Sequence, residues 1–323
     1  AEMSGNHNQS LEKALEIVDA AADSGADAIK LQTYTADSLT LNVKNASFKI
    51  NDKSSLWKGE NLYDLYKKSY TPWEWHEAIF KRASKREIIC FSSPFSENAI
   101  DFLETLDAPA YKIASFENNH LPLIRKAAST GKPLIISTGM ASLGELEQAV
   151  LTAKEGGCEK LILLKCTSTY PASARDTNIC TIEHLRKLFN CEVGLSDHTF
   201  GIGVAVASIP FGACVIEKHF TLSRSEGGVD SAFSMEPDEF SQLVKEANRA
   251  WEAIGNIKYG PTKAEENSLM FRRSIYVAEN IKKGEVFTDK NLRIVRPGNG
   301  APPYLLETFL GKINFNGIGL IAI

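Results

Sequence analysis

Two histidines, two lysines and a glutamate are the side chains of this sequence best placed to do chemistry. His198 and His219 stand at the ends of two successive apolar runs, 193–196 and 214–220. Adjacent strands lie about 4.8 Å apart, so both imidazoles could reach one metal ion at about 2.1 Å. Two protein ligands leave coordination positions open, as a catalytic metal requires. The other reading of each histidine is a plain hydrogen-bonding group at a strand end. Lys30 and Lys112 end two further apolar runs. A buried ammonium is costly unless paired, so an anion is implied: a bound phosphate or carboxylate, or a glutamate inside the fold. Glu2 fits a general acid or base if partial desolvation raises its pKa. Its alternative is an ion pair with Lys30 or Lys112, and both roles are compatible.

These residues need elements to position them. Up to about Gly255 the chain alternates short β-rich apolar runs with amphipathic helical stretches. The runs are 28–32, 88–92, 110–113, 134–137, 161–166, 193–196 and 214–220. Runs so short and apolar suit strands covered on both faces, and the alternation predicts a parallel sheet. Ser10 precedes a helical set at Leu11, Leu15, Val18 and Ala22, ended by Gly25. Thr71-Pro72-Trp73-Glu74 reads as a capping box with proline at the first helical position, and Ser142-Leu143-Gly144-Glu145 as a second box. Gly131 and Gly255 suit helix C-termini. A (β/α)8 TIM barrel needs an eighth strand. Ala1-Glu2 is expected to be its tail, with the rest of that strand missing from this numbering, since the chain opens on alanine rather than methionine. An open doubly wound sheet is the alternative.

In a barrel the reactive groups sit at the C-terminal strand ends. There the sequence places Glu2, Lys30 and Gln32, Ser92 and Ser93, Lys112 and Ser115, Ser137 and Thr138, Lys165 and Thr167, Ser196, Asp197 and His198, and His219. Between Thr33 and Thr71 a long segment carries Phe48, Trp57, Tyr63, Tyr66 and Tyr70. Leaving a strand at that end, it reads as a loop covering a substrate, with a packing insertion as the alternative. Residues 256–271 read as a linker, and residues 272–323 as a compact, turn-rich second domain.

The bulk numbers narrow the function classes. A net charge of −4 argues against a nucleic-acid or membrane-surface binder, so an anionic substrate must be held by local cations. No apolar run approaches the roughly 18 residues of a membrane span. Six dispersed cysteines without a C-x-x-C pair read as reduced, mostly buried thiols, which suggests the cytoplasm.

Nine stretches together resemble the sialic acid synthase family: AEMSGNHNQ at 1–9, IKLQ at 29–32, SSPF at 92–95, YKIAS at 111–115, STGM at 137–140, KCTSTYP at 165–171, GLSDHT at 194–199, IEKHF at 216–220 and RPGNG at 296–300. The resemblance covers nearly the whole chain. It implies a barrel followed by a small antifreeze-like SAF domain, and a homodimer in which that domain caps the partner's active site. It implies a divalent metal, manganese or magnesium, on His198 and His219, with Glu2 as acid or base. Phosphoenolpyruvate would be held by Ser93, Lys112, Ser137 and Ser196, with Lys30 near the reacting centre and Ser115 a further substrate-binding residue. Tyr170 and Asp230 would contact an N-acetylated aldose, and Arg296 would enter from the partner. Within the family, the SLW…NLYDLY…TPWEWH pattern at 48–76, IASFE and EKHF are most similar to the branch making pseudaminic acid. The neuraminic and legionaminic acid branches are the alternative. The last residues, 313–323, depart from the usual SAF ending. A Schiff-base aldolase working through Lys112 or Lys165 and a carbohydrate- or ice-binding protein are the remaining alternatives.

Overall fold

The computed structural model describes residues 1–52 and 55–314. It falls into two compact units, 1–255 and 256–323. In the first, seven parallel strands follow one another in chain order: β1 Ala28–Thr33, β2 Ile89–Pro94, β3 Tyr111–Ile113, β4 Leu134–Ser137, β5 Leu161–Cys166, β6 Glu192–Ser196 and β7 Val215–Glu217.

Residues 1–3 close the ring. The Glu2 amide donates to the Lys218 carbonyl at 2.8 Å, and the Met3 amide donates to the Lys30 carbonyl at 3.1 Å. The Phe220 and Lys30 amides donate in turn to Glu2 and Ala1 carbonyls, each at 2.8 Å. Glu2 therefore bridges β1 on one side and the end of β7 on the other, both in parallel sense. The eighth stave expected at Ala1-Glu2 is present, and the sheet is a closed barrel rather than an open one. Closure matters for chemistry because it turns seven strand ends and Glu2 into one rim.

Helices follow the strands in turn: α1 Leu11–Asp23; α2 Ala36–Leu39, α3 Leu62–Ser69 and α4 Trp73–Lys85 after β1; then α5 Glu97–Thr105, α6 Leu121–Ala128, α7 Leu143–Glu155, α8 Thr181–Phe189, α9 Gly203–Ser208 and α10 Pro237–Ile254. Their buried faces (Ala14, Ile17, Val18 and Ala21 on α1; Leu123, Ile124 and Ala127 on α6) join strand residues such as Ile29, Leu31, Ile113 and Ile136 in one core. The Ser10 cap and the Ser142–Glu145 box form as expected. The box at Thr71 does not. Pro72 is the N-cap there and makes no side-chain cap bond, because the buried Thr71 hydroxyl is engaged with His7 Nε2 at 3.2 Å. The 33–71 segment is also not a bare loop, since it contains α2 and α3.

The second unit pairs β8 Ser274–Val277 with β9 Leu292–Val295 antiparallel. Its small core is Ile275, Val277, Ile281, Phe287 and Leu292. The stretch 256–271 includes a 3-10 helix, Lys263–Phe271. The unusual ending expected at 313–323 lies outside the described residues from 315 onward. Among the described residues no helix is long and apolar enough to cross a membrane. All six cysteines are free, but only Cys90, Cys158 and Cys166 are buried, so the expectation of mostly buried thiols holds for half of them.

Candidate active site

Side chains alternate faces along a strand, and this alternation selects what the rim presents. Glu2, Lys30, Gln32, Lys112, Ser137, Cys166, Ser196, His198, Glu217 and His219 all line one cavity of about 580 Å³. Their neighbours Met3, Leu31, Ile113 and Lys165 do not. Pockets of this size and mixed character are where small molecules bind.

Four buried charges form the floor. Lys30 Nζ lies 2.6 Å from Glu2 Oε1 and 3.8 Å from Glu217 Oε1. Lys112 Nζ lies 3.5 Å from the same Glu217 oxygen, which also accepts from Ser196 Oγ at 3.1 Å. Gln32 Nε2 donates to Glu2 Oε1 at 2.8 Å. Burial alone therefore does not demand a bound anion, because each lysine already has a carboxylate. Burial pushes the Glu2 carboxyl up, yet His219, Lys30 and Lys112 together hold it well below the usual range. Glu217 is likewise lowered, with Lys112 and Lys30 outweighing burial. Lys30 is raised, with Glu2 and Glu217 outweighing burial. The raised pKa on which an acid or base role for Glu2 would rest is thus reversed: it is a carboxylate, suited to orient a neighbour rather than to donate a proton.

The raised carboxyls are elsewhere. Burial lifts Glu117 to about 7 and also raises Asp230. Both line the cavity. Glu117 follows β3 in the 3-10 turn Ser115–Glu117, and its Oε2 is buried without a hydrogen-bond partner. Asp230 Oδ2 accepts a short hydrogen bond from Ser4 Oγ.

The histidines stand together, ring centroids 5.3 Å apart. His198 Nδ1 is 2.9 Å from the Thr167 carbonyl. A carbonyl only accepts, so Nδ1 carries a proton, and in the neutral ring Nε2 keeps its lone pair. Cys166 Sγ also lies 3.8 Å from that nitrogen, and its pairing with the ring outweighs burial and raises the His198 pKa. His219 Nε2 faces Glu2 Oε2 at 3.3 Å, leaving Nδ1 as the lone-pair nitrogen. It is buried with no hydrogen-bond partner, and Asp230 Oδ2 is 4.0 Å away. Burial lowers the His219 pKa against the opposing pull of Glu2 and Asp230. One nitrogen of each ring fixed by a protein acceptor and the other left open is the arrangement of metal-ligating histidines. Among the described residues no group of three or more His, Cys, Asp or Glu could hold a metal ion. The residues present fit a divalent ion held by two imidazoles, with its other positions left to water or substrate.

Tyr170 and Trp57 give the cavity an aromatic wall, backed by Phe233. Tyr170 lies 4.4 Å from His198 and 5.2 Å from Phe233, centroid to centroid, and Phe233 lies 4.9 Å from His219. Trp57 approaches Tyr170 at 5.9 Å and is fixed by its indole N–H donating to the Val229 carbonyl at 2.9 Å. Tyr34, Leu62, Leu65 and Tyr66 from the 33–71 segment line the same cavity. That segment therefore walls the site, although Phe48, Tyr63 and Tyr70 do not line it.

The sequence-derived residues converge here: Glu2, Lys30, Lys112, Ser115, Ser137, Tyr170, Ser196, His198, His219 and Asp230 line the cavity. Ser93 stands just behind, 3.5 Å from Lys30 Nζ. Arg296 belongs to the second unit, in the turn after β9. Lys165 is a correction. It is out of phase with Cys166, and its ammonium donates to the Cys166 carbonyl at 2.8 Å and to Thr167 Oγ1 at 3.3 Å. The sequence reading gave no role to Glu217, Glu117, Cys166 or Phe233, and named Trp57 only as part of the covering segment. For Glu217 a signal existed, because it is two residues before His219 and so on the same face.

Comparison with known proteins places this arrangement. Residues 17–259 match the NeuB family and residues 272–313 match the SAF domain. A pseudaminic acid synthase of Campylobacter jejuni is 46% identical over 312 residues, 97% of this chain and 90% of that protein. One from Helicobacter pylori is 43% identical, over 97% of this chain and 92% of its own length. An N,N'-diacetyllegionaminic acid synthase of Campylobacter jejuni is 37% identical, with coverage of 97% and 94%. Among solved structures, the N-acetylneuraminic acid synthetase of Leptospira borgpetersenii superposes with a TM-score of 0.73 at 31% identity, over 83% of this chain and 88% of that one.

Proposed function

The chain belongs to the NeuB family, and on that footing we propose that it is a pseudaminic acid synthase. It condenses phosphoenolpyruvate with 2,4-diacetamido-2,4,6-trideoxy-L-altrose and water, releasing phosphate by C–O cleavage. Similarity to the two pseudaminic acid synthases, above that to the legionaminic one, supports the choice of aldose. The observation that carries the chemistry is the pair of open imidazole nitrogens beside two ion-paired lysines in one cavity.

In this reading Lys30 and Lys112 hold the phosphate and carboxylate of phosphoenolpyruvate, with Ser115, Ser137 and Ser196 donating to the same oxygens and Ser93 steadying Lys30. The Ser137 hydroxyl is buried and unpartnered, which suits a donor waiting for an oxygen. His198 Nε2 and His219 Nδ1 would hold a manganese or magnesium ion, which would supply Lewis-acid polarisation of the aldehyde oxygen. Carbon 3 of phosphoenolpyruvate attacks that aldehyde carbon, and water adds at carbon 2. Glu2 orients His219, while Glu117, near neutrality, is the carboxyl able to take up a proton and give it back. Tyr170 and Trp57 offer an apolar wall to the sugar, Phe233 packs against Tyr170 outside the lining, and Asp230 offers a polar contact. Arg296 from a partner subunit, in a domain-swapped homodimer, belongs to the same proposal, as does a cytoplasmic setting for the free thiols.

A Schiff-base aldolase fits less well. Its lysine must lose a proton to attack, whereas Lys112 Nζ lies buried 3.5 Å from the Glu217 carboxylate, and Lys165 lies outside the cavity lining. The test is incubation with manganese, phosphoenolpyruvate and each candidate aldose, following phosphate and product mass. Turnover of the 6-deoxy altrose derivative, abolished by chelation, is expected. Turnover of N-acetylmannosamine alone overturns the branch assignment, and turnover that survives chelation overturns the metal role.

A further inference from the structure

The histidine pair stands where the sheet's own hydrogen bonding has stopped. The β6–β7 register runs Gly194↔Val215, Leu195↔Ile216, Ser196↔Glu217. Continued by two steps it sets Asp197 against Lys218 and His198 against His219. The Asp197 amide still donates to the Glu217 carbonyl at 2.9 Å. Beyond it, among the described residues, no backbone hydrogen bond joins 198–201 to 218–221. His219 turns instead to Met235, whose amide donates to its carbonyl at 2.8 Å, and His198 to Ala172, whose amide donates to its carbonyl at 2.9 Å. The two imidazoles therefore depend on something else for their separation.

Alternation supplies it. With His198 and His219 facing the cavity, Asp197 and Lys218 face away from it, and there they meet. Lys218 Nζ lies 2.8 Å from Asp197 Oδ2, at side-chain exposures of 1% and 0%. Its remaining protons go to the carbonyls of Thr199 at 2.6 Å and Gly201 at 3.1 Å. Asp197 Oδ1 accepts the Thr199 amide at 2.9 Å. One ammonium thus ties down both flanks of His198 from the segment that carries His219. Every donor and acceptor of the pair is used, and neither charge touches the cavity. The mechanism gives these two charges no chemical task. Neither is needed for a core, because apolar residues would fill that layer without the cost of desolvation.

We propose that Asp197 and Lys218 are positioning residues that set the separation and aim of His198 and His219, and through them the affinity of the two-histidine site for a divalent cation. This rests on the metal reading of those histidines given above. The ion pair acts as a side-chain rung carrying the β6–β7 register one step past the backbone ladder.

The test uses the full-length protein and Mn2+ alone, with the free aquo ion counted by electron paramagnetic resonance. The variant is D197N/K218M, which removes both charges together, so neither is stranded. Replacing a buried pair in this way is commonly neutral for stability. Thermal unfolding close to the parent's is expected, with Mn2+ affinity weaker by roughly 10- to 100-fold, the usual effect of losing a supporting shell. A purely structural pair would move the unfolding transition and leave the affinity of the folded protein unchanged; that result overturns the proposal. If the double variant does not fold, D197N alone, which keeps the Thr199 contact and the shape, decides by the same affinity comparison. If the parent itself fails to bind Mn2+, the two-histidine site falls and the proposal with it, an outcome distinct from equal binding by parent and variant.

Discussion

Glu117→Gln should make this protein more stable at alkaline pH while disabling it. Burial raises the Glu117 carboxyl from an ordinary 4.5 to about 7, against the opposing pull of Lys112. A folded-state pKa above the unfolded one means that this group's contribution is fully present below pH 4.5 and is lost as pH rises through 7. Above that the fold carries a buried carboxylate it would rather have protonated. Each tenfold change in a protonation equilibrium is worth about 1.4 kcal/mol. Displacement from 4.5 to about 7 therefore gives roughly 3 kcal/mol in all, an order-of-magnitude figure. Glutamine has the same shape and never ionises. The gap in stability between variant and parent should be under about 1 kcal/mol at pH 5 and widen to roughly 3 kcal/mol by pH 8. Urea unfolding of metal-free protein, followed by tryptophan fluorescence, reads the barrel directly because Trp57, Trp73, Trp75 and Trp251 all lie in the first unit. A gap that does not change with pH, or a variant less stable than the parent at pH 8, refutes the reasoning. Turnover by the variant should fall by about 100-fold or more if the carboxyl transfers a proton.

Glu217→Gln should lower stability by about 3–5 kcal/mol, since it strips a buried carboxylate from Lys112 and Lys30. Saturating phosphoenolpyruvate should then raise the melting temperature by more than it does in the parent, because the ligand restores the lost counter-charge; equal shifts would count against the anion site. Gly194→Ala should prevent recovery of folded protein. Its Cβ would stand 2.3 Å from the Val215 carbonyl and 2.7 Å from Leu164 Cδ2, prying β6 from β7, so a circular dichroism spectrum and melting curve matching the parent's would show that the barrel wall yields more than the packing implies.

Much of the barrel was legible because strands covered on both faces must be apolar throughout. The seven runs stand out for that reason, and their ends match the strands to within a few residues at most. The ring of polar strand ends was legible for the same reason, since polar groups there break an otherwise apolar run. What was not legible needs distances. Lys165 and Lys30 look alike in sequence, yet only one faces the cavity, and strand phase decides which. Glu2 and Glu117 are both buried carboxyls with opposite shifts. Glu2 lies within 2.6 Å of an ammonium, whereas the Glu117 Oε2 has no partner. The Thr71 box failed because His7, distant in sequence, claims the hydroxyl. Local propensity cannot anticipate a tertiary competitor.

The charge balance of the floor explains why such a site would need a metal at all. Lys30 and Lys112 contribute two positive charges, Glu2 and Glu217 two negative ones, and the histidines as neutral ligands none. The protein groups alone therefore cancel, in a chain whose net charge is −4. A multiply charged acid such as phosphoenolpyruvate gains little from a neutral floor, and desolvating it there would cost more than the lysines return. A divalent cation held by the two imidazoles would add two positive charges beside that floor without placing any further buried lysine in the fold. Coupling then follows from electrostatics. The ion raises affinity for the anion, and by linkage the anion raises affinity for the ion by the same factor. The Lys–Glu pairs keep the empty floor neutral enough to fold, and bound ion and acid together give its charges new partners.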